Sequence, residues 1–364
     1  MKIFANTNLF LLFALLSCHY VIGQDQPDND ERTKKIKMPK FYKAALPARS
    51  IPVTDIRIVQ SIPDSNRLGY LQKGMANQKV IAVPTKPLTV YLQEYVTKQY
   101  KDGFAKEGNQ LLIVVKELRV NERTFFSTEK GFVRFKADAY LSKDKSNYQF
   151  TSAIDTVLVN SSMMDVTSSH GENIAAAIYM LIKQSLQNGE AALSNTAGGV
   201  TNAQILSKEW DRFQLPILTD SGYIDGAYAS FQEFLQNRPS VSAFEMESID
   251  KKGKVKIMAV QTDGTKKEIT PWGICKGREL YKYYESDLVP IEQVGHNFII
   301  SDYLEKINRR NSGIFAAAFF GGALGAGIAN STSQKLYSVT QYPYITKKQP
   351  EACAIDMVNG EFTF

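Results

Sequence analysis

The sequence predicts an α+β fold: an antiparallel sheet with two packed helices, then a β-rich meander domain that carries a Gly/Ala-rich helix. Three observations carry this. Residues 88–100 (LTVYLQEYVTKQY) place Leu88, Leu92, Tyr95 and Val96 at helical spacing. Three long strand candidates follow at 110–121, 131–141 and 148–160, and a second apolar helix at 174–186 closes the set. Beyond residue 206, turn signals separate short apolar or alternating runs, which is the pattern of a meander.

The chain opens with Lys2, runs from Leu9 to Leu16 (LFLLFALL) without a polar residue, and relaxes into SCHYVIG at 17–23. A short basic start, an apolar centre and a small-residue exit are the three parts of a secretory signal peptide, so residues 1–23 are read as one. The eight apolar residues would make only about 12 Å of helix, against the roughly 20 residues that a membrane span needs. Val21 and Gly23 suit ordinary cleavage before Gln24. Alternatively, Leu15-Leu16-Ser17-Cys18 resembles the lipobox of bacterial lipoproteins, whose cysteine receives a diacylglycerol, and this makes Cys18 a candidate lipidation site. Either exit predicts an exported protein, periplasmic or associated with the outer membrane.

The 364 residues suggest two or three domains. Forty-three basic against 37 acidic side chains, alternating along the chain, leave a formal charge of +6 and no nucleic-acid footprint. Of the three cysteines, Cys275 and Cys353 remain once Cys18 is removed or acylated. In an oxidising compartment they form a candidate disulfide, worth about 4 kcal/mol for so long a loop. Two buried free thiols are the alternative.

Residues 24–50 begin polar and charged, with little to bury, and are read as a flexible tether. An α/β domain then spans 51–190. Short strands are expected at 55–60, 67–73 and 79–83, and Pro87 suits the opening turn of the first helix. The strand at 131–141 alternates Phe132, Phe135, Ala137 and Ala139 with charged neighbours. Ser169 and Glu172 have the spacing of a capping box ahead of the second helix. This order of strands and helices, with the alternation in LLIVVKELRV and FVRFKADAYL, resembles the auxiliary lipoproteins of bacterial envelope transporters and the amino-terminal domain of TolB. The resemblance implies a transport-accessory role.

Residues 191–205, small and polar with Gly198-Gly199, are read as a linker. A helix plus β-meander domain follows at 206–311, in which Asp225 can cap a helix carrying Tyr228, Phe231, Phe234 and Leu235. Thr262-Asp263-Gly264-Thr265 favours a tight hairpin. Carboxy-terminal strands are expected at 331–364. The stretches GYIDGAYASFQEFLQNRPS, WGICKGRELYKYY and AIDMVNGEF together resemble uncharacterised exported envelope proteins of Gram-negative bacteria, which implies a compartment and no activity.

Between these parts lies the Gly/Ala-rich apolar segment, read as a helix over 312–330. Its centre, GIFAAAFFGGALGAGIA at 313–329, has no charged or hydrogen-bonding side chain. As a helix it aligns Ala317, Gly321, Gly325 and Ala329 in one stripe of nearly bare backbone, on which a second helix can pack closely. Its large apolar side chains contribute on the order of 2 to 3.5 kcal/mol toward membrane insertion, which is marginal. A helix that self-associates or contacts a membrane, a piece packed inside its own domain, and a linker all fit. The glycines at 322, 325 and 327 lack the lysine or acidic partner of a nucleotide fingerprint.

No HExxH, GxSxG, CxxC or Walker motif occurs, so no catalytic, cofactor-binding or metal-ligating residue is assigned. His170 is expected as an exposed residue in the first turn of a helix, and His296 as a turn residue. The acidic tether residues Asp28, Asp30 and Glu31 offer no preformed metal cage. The function expected is therefore binding of another envelope component, or self-association, through the Gly/Ala helix. A glycan or peptide hydrolase with a carboxylate pair is the alternative, for which two close carboxylates with perturbed titration would be the sign. An exposed row of Tyr281, Tyr283 and Tyr284 with Trp272 would signal a carbohydrate-binding module.

Overall fold

The computed structural model describes residues 33–42, 46, 51–63, 66–73, 78–124, 128–163, 165–194, 198–249, 254–300, 333–338, 345–346, 349–350 and 353–363. The segment read as a signal peptide, with Cys18, and the Gly/Ala segment with Ala317, Gly321, Gly325 and Ala329, lie outside the described residues. The chain begins with β1 (Thr33–Ile36), β2 (Val53–Gln60), β3 (Gly69–Lys73), β4 (Gln78–Pro84) and α1 (Leu88–Tyr100). It continues through β5 (Asn109–Thr124), β6 (Glu129–Ser142), β7 (Gln149–Ser162), α2 (Ser169–Ser194) and α3 (Asn202–Asp211). Helix α1 starts directly after Pro87 and buries Leu88, Leu92, Tyr95 and Val96, the expected stripe.

These strands form an eight-stranded sheet in the order β1-β4-β3-β5-β6-β7-β16, where β16 is Ser333–Ser338 and β2 also pairs with β5. The three long strands β5, β6 and β7 pair antiparallel as expected, but the sheet is not antiparallel throughout. β1 runs parallel to β4, and both β2 and β3 run parallel to β5. The length of β5 explains the last two: β2 pairs along Asn109–Val115 and β3 meets Val120 and Asn121 further on. Helix α1 supplies the crossover that parallel pairing requires.

The two outer strands of this sheet come from distant parts of the chain. β1 lies inside the stretch read as tether, held by its ladder to β4 and by Ile36, which is buried. β16 lies in the stretch where carboxy-terminal strands are expected, and pairs with β7 over six residues. α1 and α2 cover one face, where Leu111, Ile113, Val115, Phe135, Ile178 and Leu181 form the main core. On the reverse face, Leu112, Val114 and Tyr148 pack against Ile205 of α3.

The capping expectation for α2 changes. Ser169 is already helical and its hydroxyl donates to the Val166 carbonyl at 2.6 Å, so no capping box forms with Glu172. A complete box stands instead inside the stretch read as a linker, where Thr201 and Gln204 cap each other at the start of α3. α2 also runs on to Ser194, into the same stretch.

The second region follows as α4 (Pro216–Thr219), β8 (Gly226–Tyr228), α5 (Phe231–Leu235), β9 (Phe244–Ser248), β10 (Val255–Val260), β11 (Lys266–Ile269), β12 (Gly273–Lys276), β13 (Glu279–Tyr284), β14 (Asp287–Val294) and β15 (Asn297–Ile300). Further on come β17 (Ile345–Thr346), β18 (Gln349–Pro350), β19 (Ala354–Ile355) and β20 (Phe362–Thr363). β9 to β11 make a three-stranded meander, with Gly264 at φ 81° in the Asp-Gly hairpin. A seven-stranded sheet runs β20-β19-β15-β14-β13-β12-β8. Ser230, rather than Asp225, caps the helix at α5, and Tyr228 is in β8. Asp225 instead accepts from the backbone of Gly277 and Arg278, clamping the turn between β12 and β13. The described residues from Thr33 onward belong to one compact unit. Among the described residues, no helix is long and apolar enough to cross a membrane.

Candidate functional site

At one end of the eight-stranded sheet, the β5–β6 hairpin brings two glutamates together. Its register pairs Glu122 with Gly131 and Thr124 with Glu129, so Glu122 and Glu129 are diagonal neighbours across the ladder. Asp165, in the turn before α2, joins them. Carboxylate oxygens of Glu122, Glu129 and Asp165 all lie within 4.8 Å of one another.

Glu122 is fully buried and held from three sides. Its Oε2 accepts the Gln72 backbone N–H at 2.8 Å, and its Oε1 accepts the Thr167 hydroxyl at 2.6 Å and lies 3.0 Å from His170 Nε2. Gly131 makes room for that imidazole, because a Cβ there would stand 3.1 Å from His170 Cε1. The expectation of an exposed His170 is therefore corrected: the ring is fully buried, drawn in by Glu122. Its Nδ1 has no hydrogen-bond partner among the described residues. The imidazole is thereby fixed against Glu122.

The two remaining carboxyls titrate in opposite directions. Burial, then the nearby charges of Glu122 and Asp165, push Glu129 up to about 8, so it carries a proton at neutral pH. Burial also opposes ionisation of Asp165, but hydrogen bonds from Lys73 and Thr167 outweigh it and bring this group down to about 2. Lys73 Nζ reaches Asp165 Oδ2 at 2.7 Å and also contacts the Thr167 hydroxyl. A neutral acid beside an ionised carboxylate is thus the resting state.

Asp165, Thr167 and Lys73 open onto a groove of about 590 Å³, whose opposite wall is residues 34–39, including β1. Gly171 permits this closeness, since a Cβ there would fall 2.0 Å from the Lys37 carbonyl oxygen. The carboxyl cluster offers oxygen ligands of the kind hard divalent cations use. Lys73 and His170 already occupy part of that donor set.

A second polar layer lies on the reverse face, between the first sheet and the second region. Arg134, with 0 % exposure, contacts Asp155 and lies 3.5 Å from Glu117 and 3.7 Å from Asp356. Burial would depress its guanidinium, but Glu117, Asp155 and Asp356 outweigh it and raise it. Lys116 bridges Asp138 at 2.5 Å and Glu209 of α3 at 2.8 Å, and Arg119 pairs with Glu117. A cavity of about 130 Å³ in this layer is lined by Arg119, Arg212 and Asp356, among others.

The candidate disulfide is not formed: Cys275 and Cys353 are buried free thiols with separate partners. Cys275 donates to Asp225 at 3.3 Å, and burial together with that carboxylate pushes the thiol up to about 12. Asn121 Nδ2 donates to Cys353 Sγ at 3.0 Å, and burial raises this thiol as well. The aromatic row is also not presented as a ligand platform. Trp272 packs on Phe234 with ring centroids 4.3 Å apart, Lys282 Nζ covers its ring at 4.5 Å, and Tyr281 and Tyr283 pack against the Ile257 core. His296 lies in the turn after β14, edge-on to Phe213 at 5.6 Å.

Composition and motif spacing gave no sign of the three-carboxyl cluster, whose members lie up to 43 positions apart. The one available signal was the pair of glutamates flanking a strand-to-strand turn. No family model, curated protein or solved structure matches this chain.

Proposed function

We propose that this protein is a non-enzymatic accessory of the bacterial cell envelope, exported by residues 1–23, that binds another envelope component or a second copy of itself through the Gly/Ala segment. One observation supports it above others. The two stretches that the sequence marks for attachment, the amino-terminal leader with its tether and the segment 313–329, lead directly into β1 and β16, which are the two outer strands of the eight-stranded sheet. A rigid sheet held from both edges is suited to a platform. Neither nucleic acid nor a cofactor enters this reading.

Replacing Gly321 and Gly325 together by leucine blocks close helix approach. The double variant is expected to lose membrane co-fractionation or oligomerisation, and an unchanged distribution would remove the proposal.

The carboxyl cluster favours a second reading, a glycan or peptide hydrolase. Glu129 would be the proton donor and Asp165 the base or nucleophile, their carboxyl oxygens within 4.8 Å of each other. Asp165→Asn would then abolish turnover of peptidoglycan fragments. Equal, background-level turnover by the native protein and the variant leaves the accessory role standing.

A further inference from the structure

The edge strand β1 and the residues after it form an unusually basic surface. From Thr33 to Thr54 the sequence has Lys34, Lys35, Lys37, Lys40, Lys43 and Arg49 and no acidic residue. Lys34, Lys35, Lys37 and Lys40 are all exposed. Directly beside them Phe41 is 70 % exposed, more than any other large apolar side chain among the described residues. Lysines on an edge strand also discourage sheet extension, but that role has no use for an exposed phenylalanine next to them.

We propose that Lys34, Lys35, Lys37, Lys40 and Phe41 form the surface by which this protein rests on an anionic lipid bilayer, with a headgroup phosphate seated in the groove beside Lys73. The inference deepens the envelope reading and rests on it. Lysines gain from the potential of an anionic surface, while the phenyl ring enters the headgroup boundary. The groove supplies the seat: Lys34, Lys35 and Lys37 line one wall, and Lys73 and Thr167 stand on the other. Two carboxylates share that second wall, Asp165, already paired with Lys73, and the exposed Glu172. The position along the chain is also right. If Cys18 is the lipid anchor, the intervening residues 19–32 reach at most about 50 Å, so the strip stays close to the bilayer and binds at high effective concentration.

The nearest competitor for the strip is in the chain itself, since Asp25, Asp28, Asp30 and Glu31 immediately precede it. Co-sedimentation of the Cys18→Ser variant purified from cells, which cannot be acylated and so binds only through its side chains, with vesicles of phosphatidylglycerol and phosphatidylethanolamine decides. Binding is expected, with loss at about 0.5 M salt, where screening shortens the Debye length to roughly 4 Å. Changing all four lysines to glutamine should weaken it about 100-fold or more, at about fivefold per lysine, while the matching arginine variant retains it. Phe41→Ser should cost about fivefold.

Several results would overturn the proposal: equal binding to phosphatidylcholine vesicles, no effect of the four glutamines, or displacement by inorganic phosphate at matched ionic strength. No binding at all would do the same and would assign the strip to the acidic residues 25–31. The Gly321→Leu/Gly325→Leu variant separates this proposal from the parent reading. Vesicle binding that survives in it leaves the lysine surface intact even if cell fractionation has removed the role of the Gly/Ala segment.

Discussion

Under α1 and α2 the eight-stranded sheet presents Leu111, Ile113, Val115 and Phe135, all fully buried among aliphatic neighbours. On the reverse, Lys116, Glu117 and Arg134 meet Glu209 and Asp356 across a layer of ion pairs. The first face is held by transfer of apolar surface from water, which is non-directional and tolerant of small shifts. The second depends on every charge keeping its partner, because an uncompensated buried charge costs more than the pair contributes. The apolar face therefore specifies that the sheet folds, while the charged face specifies how the second region docks on it.

The largest effect should come from breaking the charged layer at its centre. Arg134→Ala leaves Glu117 with Arg119 and Asp155 with Lys136 but takes the ion-pair partner from the buried Asp356, and is expected to cost about 3–5 kcal/mol in urea denaturation. On the apolar face, Leu181→Ala removes one core side chain among many and should cost about 2–5 kcal/mol. A charged-face loss well below the apolar one would reverse the comparison.

A smaller effect belongs to the carboxyl cluster. Glu129 titrates near 8 in the folded protein against an ordinary value of 4.5, so the folded state holds a proton that the unfolded chain has released. Stability from this group is therefore full below about pH 4.5 and declines as pH rises towards 8. Glu129→Gln, which keeps a neutral side chain, should stabilise the protein at pH 8 by on the order of 1 kcal/mol after allowance for solvent screening, and by little at pH 4.5. Asp165 has the opposite sign, with its contribution present above about 4 and lost as pH falls through about 2. Least of all should follow from Lys266→Ala on β11. Its bond to Glu245 at 2.6 Å is solvent-exposed, and the urea midpoint should not move.

Much of the first sheet was legible because its signals are local. Pro87 with Leu88, Leu92, Tyr95 and Val96 marks α1, and the alternation around Phe132, Phe135 and Ala137 marks β6. β1 and the pairing of β16 were not legible, because TKKI and SQKLYS offer too short or too polar a pattern and their places are fixed by ladder partners remote in sequence. Parallel pairing escaped for the same reason: nothing within β5 says that β2 and β3 share its edge. The burial of His170 needed Glu122 and Gly131, both some 40 to 50 positions away, to be known as neighbours. Ser169-x-x-Glu172 misled because a matching spacing does not fix where the helix begins.

The central proposal is that this chain leaves the cytoplasm and works attached to, or within, the cell envelope. Intact mass of the protein recovered from cells tests it most directly. The account predicts either a chain beginning at Gln24 or an acylated one beginning at Cys18, in both cases with Cys275 and Cys353 reduced. A soluble cytosolic polypeptide still carrying Met1 and the residues up to Gly23 would contradict it.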